Sequence, residues 1–209
     1  MFTLLKLGVA VAGLFCIIAL AVMLIRTYAF DRRPIYAHPR GSSFSGVRYA
    51  LVRGMLPWEK ESASQHIWTY LGGILYHVGV FVAMLFLVTI LLNLSLSNIL
   101  VLWTRILLGT GLICGVALLI KRTFKPHMRA LSQGDDYWAN VLVDLLLLSA
   151  MASTLSEKAM VPFLIVAVVT FIYLPFGKLR HCVFFFYSRI LFGDFFGKRG
   201  VLPHPSRKT

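Results

Sequence analysis

The chain has 209 residues and carries 21 Lys and Arg against 8 Asp and Glu, a formal net charge of +13. Yet 58% of it is hydrophobic and only 14% is charged, far below the roughly 25% of a soluble domain. The apolar content excludes a disordered chain. It also argues against a soluble nucleic-acid binder, whose basic residues would have to share a surface with runs of Leu, Val and Phe. An all-α integral membrane protein remains.

A span needs about 20 mostly apolar residues, and five stretches qualify. The first covers about 4–25. It has a lysine near its start, as a signal peptide would, but its apolar run is long and no small-x-small cleavage site precedes Arg26, so it reads as a retained span. The others cover about 67–92, 100–120, 137–154 and 160–187. The last holds Pro175, Gly177, Lys178 and Arg180 in its final third. One longer loop, about 27–65, short connectors and a basic tail, 188–209, complete a five-helix bundle. No repeat or low-complexity tract interrupts it.

The charges sort by side. The first loop holds Arg26, Arg32, Arg33, Arg40, Arg48, Arg53 and Lys60. The third connector holds Lys121, Arg122, Lys125 and Arg129. The end of the fifth span and the tail hold Lys178, Arg180, Arg189, Lys198, Arg199, Arg207 and Lys208. That leaves Lys6, Arg105 and Lys158, while the connector Asn93–Asn98 is uncharged. The positive-inside rule then places the N-terminus outside and the C-terminus in the cytoplasm of a multi-pass inner-membrane protein. Within the long loop, Val47, Leu51, Met55 and Leu56 have helical spacing, as a short amphipathic helix on the inner face would; a plain basic connector is the equal alternative.

Cys16, Cys114 and Cys182 each sit in apolar sequence without a CxxC pair, and read as small buried hydrophobes. Of six histidines, His38, His127 and His204 fall in cytoplasmic segments and read as solvated. His66 lies at the inner mouth of the second span and reads as interfacial, with a ligand role as the other reading. His77 lies about ten residues further in, roughly 15 Å at 1.5 Å per residue. An ionisable group at that depth marks a functional site, and Gly72, Gly73 and Gly79 beside it let a flat group or another helix approach. His181 lies near the inner end of the fifth span. Two imidazoles on different helices of one bundle form the axial pair of a b-type haem, with Lys178 and Arg180 placed to pair with its propionates. Against this, His181 beside Lys178 and Arg180 also reads as a snorkelling residue, and His77 as a hydrogen-bonded core histidine.

Asp144, in the fourth span, reads as a proton-relay or quinone-site acid, or as a structural partner of Arg105 or a serine. Arg105, near the outer end of the third span, reads most simply as snorkelling. Phe184, Phe185, Phe186 and Tyr187 suit the wall of a haem or quinone pocket, and equally a membrane boundary.

Three stretches carry a resemblance. Tyr76-His77-Val78-Gly79-Val80 resembles the FHxGI motif of the respiratory nitrate reductase gamma subunit. Leu174 to His181 (Leu-Pro-Phe-Gly-Lys-Leu-Arg-His) resembles its FPFSRLxH motif. Lys121 to Arg129 resembles its inner loop RRxFSPRVR, followed by Gly134-Asp135-Asp136. The likeness spans the second to fifth helices, and the same membrane cytochrome b type occurs in heterodisulfide-reductase-like and sulfate-reducer transmembrane redox complexes. It implies one integral membrane cytochrome b domain over 1–209, with His77 and His181 as ligands of the haem nearer the cytoplasm. The family's outer-haem ligands would fall at Leu87 and Phe163, so one haem b is expected and the outer one is not.

The expected function is that of an electron-transfer subunit, not catalytic alone. It would pass electrons between the quinone pool, or a neighbouring membrane or multihaem subunit, and a cytoplasmic iron–sulfur subunit. The basic inner face suits an acidic soluble partner and anionic lipid alike. A cofactor-free membrane anchor is the alternative. A transporter ranks last, because few polar groups lie within the spans. No nucleophile–base pair or phosphate loop points to a stand-alone enzyme.

Overall fold

Residues 2–30, 37–59 and 64–202 are described by a computed structural model. Arg32, Arg33, Lys60, His204, Arg207 and Lys208 fall outside the described residues, as does the end of the basic tail. The described chain is helical, with no strand among the described residues. It divides into two compact units, Met1–Leu20 with Trp68–Leu179, and Ala21–Ile67 with Arg180–Thr209.

The first helix, α1, runs Phe2–Ala29 and is apolar on every face. It buries only Val9, Ala12, Cys16 and Leu20, which recur every three or four residues and so form one stripe. In the first unit that stripe meets a later helix, α7 (Met160–Tyr173), at Gly8 and Gly13, where added Cβ atoms would touch Val168 and Phe171. Helices α3, Ile67–Leu91, and α4, Asn98–Phe124, are also predominantly apolar. They approach at Gly79 and Gly111, where a Cβ on Gly79 would stand 2.9 Å from the Gly111 Cα. Only glycine permits backbones that close. The short α5, Pro126–Leu131, starts on a proline whose missing N–H is no loss at that position.

Helix α6, Gly134–Ser153, is the centre of this unit. It packs between α4 and α7, Met160–Tyr173, and buries Ala139, Val143, Asp144, Leu146, Leu147, Ala150 and Ser153. Leu146, Leu147 and Ala150 join Val9, Ala83, Leu87, Leu108, Phe163, Leu164 and Ala167 in one apolar core.

Among the described residues three helices, α1, α3 and α4, are long and apolar enough to cross a membrane, and a fourth if the broken pair Glu157–Tyr173 and Lys178–Lys198 is one span. Helix α6, over the expected fourth span, is not among them. Asp135, Asp136, Asn140 and Asp144 dilute its apolar character.

The expected continuous fifth span is interrupted. Helix α7 ends at Tyr173, whose carbonyl takes the N–H groups of Phe176 and Gly177. Pro175 has no N–H to continue the ladder. Gly177 is forced by sterics, because a Cβ there would overlap the Tyr173 ring. A 3-10 turn, Lys178–Arg180, follows, and a new helix, α8, runs His181–Lys198. His181, expected near the inner end of the fifth span, is therefore the first residue of a new helix.

In the second unit, α2, Ser43–Leu51, forms in the stretch expected to hold an amphipathic helix. Its buried face is Gly46 and Ala50, not the apolar series, whose Met55 and Leu56 lie beyond it among 3-10 turns. That face lies on α8. A Cβ on Gly46 would stand 2.0 Å from the Gly193 carbonyl oxygen, and one on Gly197 2.8 Å from the Gly46 Cα. Ser43 Oγ bonds Asp194 Oδ1, and the N–H groups of Arg40 and Gly41 cap the Lys198 carbonyl at 2.9 and 3.1 Å. Cys182, expected to be a buried hydrophobe, is exposed at the start of α8, whereas Cys16 is buried.

Candidate functional site

His77 lies on α3 in the first unit, exposed on the helix surface. Its Nδ1 stands 2.6 Å from the Gly73 carbonyl oxygen one turn earlier. A carbonyl only accepts, so this bond puts the proton on Nδ1 and leaves the lone pair of the neutral imidazole on Nε2. Metal-ligating histidines are oriented this way, donating their other ring N–H to a carbonyl or carboxylate. Beside the imidazole, Cβ atoms on Gly72 and Gly73 would meet nothing within 4 Å. Among the described residues that face of α3 is open at the two glycines.

His181 lies in the second unit, exposed at the head of α8. Neither unit contains both histidines. Lys178, in the first unit, reaches Asp136 Oδ1 at 3.5 Å, as does Arg122, so one expected propionate partner is engaged by an acid of α6. Arg180 is exposed. Asp136 also accepts the Gln133 backbone N–H at 2.9 Å. That bond first, and then the Lys178 and Arg122 charges, hold its carboxyl below the usual Asp range.

A polar cluster lies inside the first unit. Asp144 Oδ2 accepts from Asn140 Nδ2 at 2.9 Å. The Tyr76 hydroxyl donates to the Asn140 carbonyl at 3.2 Å. Gly115 makes the room, because a Cβ there would stand 2.1 Å from Asp144 Oδ1 and 2.4 Å from the Tyr76 ring. The alternative pairing with Arg105 does not form. The Arg105 guanidinium instead binds the Thr154 hydroxyl and carbonyl at the far end of α6. Asn140, Tyr76 and Gly115 were not singled out by sequence, although Asn140 lies one turn before Asp144 on the same helix face.

Leu87 and Phe163 are buried in the apolar core, and Phe163 stacks on Phe86 with ring centroids 5.9 Å apart. The aromatics after His181 pack edge to face among themselves, Phe184 on Tyr187 and Phe185 on Phe186. His38, His66 and His127 are exposed.

No family model, curated protein or solved structure matches this chain. Among the described residues no three His, Cys, Asp or Glu side chains gather as a metal site. A haem asks less of the chain: the macrocycle supplies four iron ligands and the protein one or two axial ones. A single oriented imidazole beside an open glycine face meets that donor requirement.

Proposed function

We propose that this chain is a membrane-bound haem b electron-transfer subunit of a respiratory redox complex, resembling the nitrate reductase gamma subunit. The observation that carries the reading is the Nδ1–Gly73 hydrogen bond of His77, with the open face at Gly72 and Gly73 beside it. The helix itself orients the imidazole and sets its tautomer.

On this reading the chain crosses the inner membrane five times, with α6 as the fourth crossing and the broken pair as the fifth. The N-terminus is outside and the basic ends are in the cytoplasm. His77 and His181 would hold the haem iron. Arg180 and Lys178 supply positive charge for propionates, Lys178 by exchanging its bond to Asp136. Bound there, the haem supplies one-electron carriage. The chain excludes water with its apolar helices and presents a basic surface to an acidic iron–sulfur subunit. Quinone, or a neighbouring membrane subunit, is the other electron partner. Burial of Leu87 and Phe163 supports one haem, since apolar side chains fill the positions where outer ligands would stand.

A reduced-minus-oxidised spectrum of the purified full chain tests this. The expected result is b-type absorbance, lost wholly in both His77→Ala and His181→Ala. Absence of the signal from the wild type would sink the reading. The exposure of both imidazoles favours the second reading, a cofactor-free anchor. That reading expects no absorbance and normal membrane assembly in both variants.

A further inference from the structure

Among the described residues, Asp144 is the one acidic or basic side chain in the buried core, 8% exposed. Its two oxygens differ. Oδ2 accepts the Asn140 amide, whereas Oδ1 has no hydrogen-bond partner among the described residues and lies close against Gly115. Among the described residues no cation of the helices packed around α6 reaches it. On α4, Arg105 is held by Thr154, Lys121 by Thr69 and Arg122 by Asp136. After α7, Lys178 is held by Asp136, and the Tyr173 hydroxyl is on Asp135. From α3, Tyr76 is the titratable group that faces the carboxyl.

An ionised carboxylate here would be a buried charge with no counter-ion and one oxygen unsatisfied. A proton on Oδ1 cancels the charge, the larger of the two penalties, and leaves a neutral carboxylic acid. Asn140 already assigns the acceptor role to Oδ2, which leaves Oδ1 as the protonated oxygen. The tight approach at Gly115 suits a proton rather than a metal ion.

We propose that Asp144 is a proton-binding site within the helix bundle, loaded at neutral pH, with Asn140 and Tyr76 as the groups that shape it. The site places one exchangeable proton in an apolar interior, one residue along α3 from His77 by way of Tyr76. It stands independently of what His77 holds.

Infrared spectroscopy of the full chain in lipid nanodiscs tests this without reference to haem. The expected signal is a carboxylic-acid C=O stretch that persists in the wild type from about pH 6 to about pH 9, where exposed carboxylates are ionised. It should be lost in Asp144→Asn. It should move to higher frequency in Asn140→Leu, which removes the donor to Oδ2. The wild-type titration needs no variant to fold. A band that vanishes by about pH 5, in the ordinary Asp range, would overturn the proposal, as would a band that survives in Asp144→Asn.

Discussion

Asp136 shows how much one side chain does at a helix start. It takes the Gln133 N–H in a capping box, while its other oxygen faces Arg122 and Lys178. Each interaction favours the ionised form, so its folded pKa lies below the unfolded value of about 3.9. The stabilisation is therefore fully present above about pH 4 and is lost as pH falls through the folded value. Asp136→Asn should lower stability near neutral pH by about 1 kcal/mol, a typical cap loss. Thermal unfolding midpoints of variant and wild type should converge on acidification; a constant gap down to low pH would refute the assignment. Much at this scale was legible beforehand. His77 and Asp144 stand out because ionisable residues are rare in apolar runs. The Asn140 partner of Asp144 is readable from their i,i+4 spacing, but that Arg105 turns to Thr154 instead is settled only once α4 and α6 are placed side by side.

At the scale of elements, glycine decides the contact of α2 with α8. Gly193 and Gly197 lie one turn apart on α8 and receive the Gly46 face of α2. Gly46→Val should force the two helices apart, at the roughly 1–3 kcal/mol typical of overpacking. Gly72→Ala, with nothing within 4 Å of its Cβ, should leave packing unchanged. Hydrogen exchange of the α2 amides checks both: fast in Gly46→Val, unchanged in Gly72→Ala. The small-x-x-x-small spacing of Gly193 and Gly197 is readable in one dimension, but its partner is not. Ser43 and Asp194, which close the contact, are 151 residues apart. The break after Tyr173 is the opposite case. Pro175 and Gly177 announce it locally, and what they leave open is where the next helix starts, which decides whether His181 lies within a helix or at its head.

For the whole molecule, the segregation of charge predicts an orientation. In intact cells a membrane-impermeant thiol reagent should label Ser95→Cys, in the uncharged connector. It should label Phe44→Cys, on the exposed face of α2, only after the membrane is opened. The reverse pattern would invert the topology. Sequence by itself determined the helical class, the apolar spans of α1, α3 and α4, and the sorting of basic residues. Hydropathy is a property of about 20 consecutive residues and needs no partner. Tertiary structure decided which glycines meet, that α6 is the packed centre with an acid lacking a cation, and that Leu87 and Phe163 are core. Those facts depend on which faces of separate helices come together, and a run of apolar residues looks the same whichever face is turned inward.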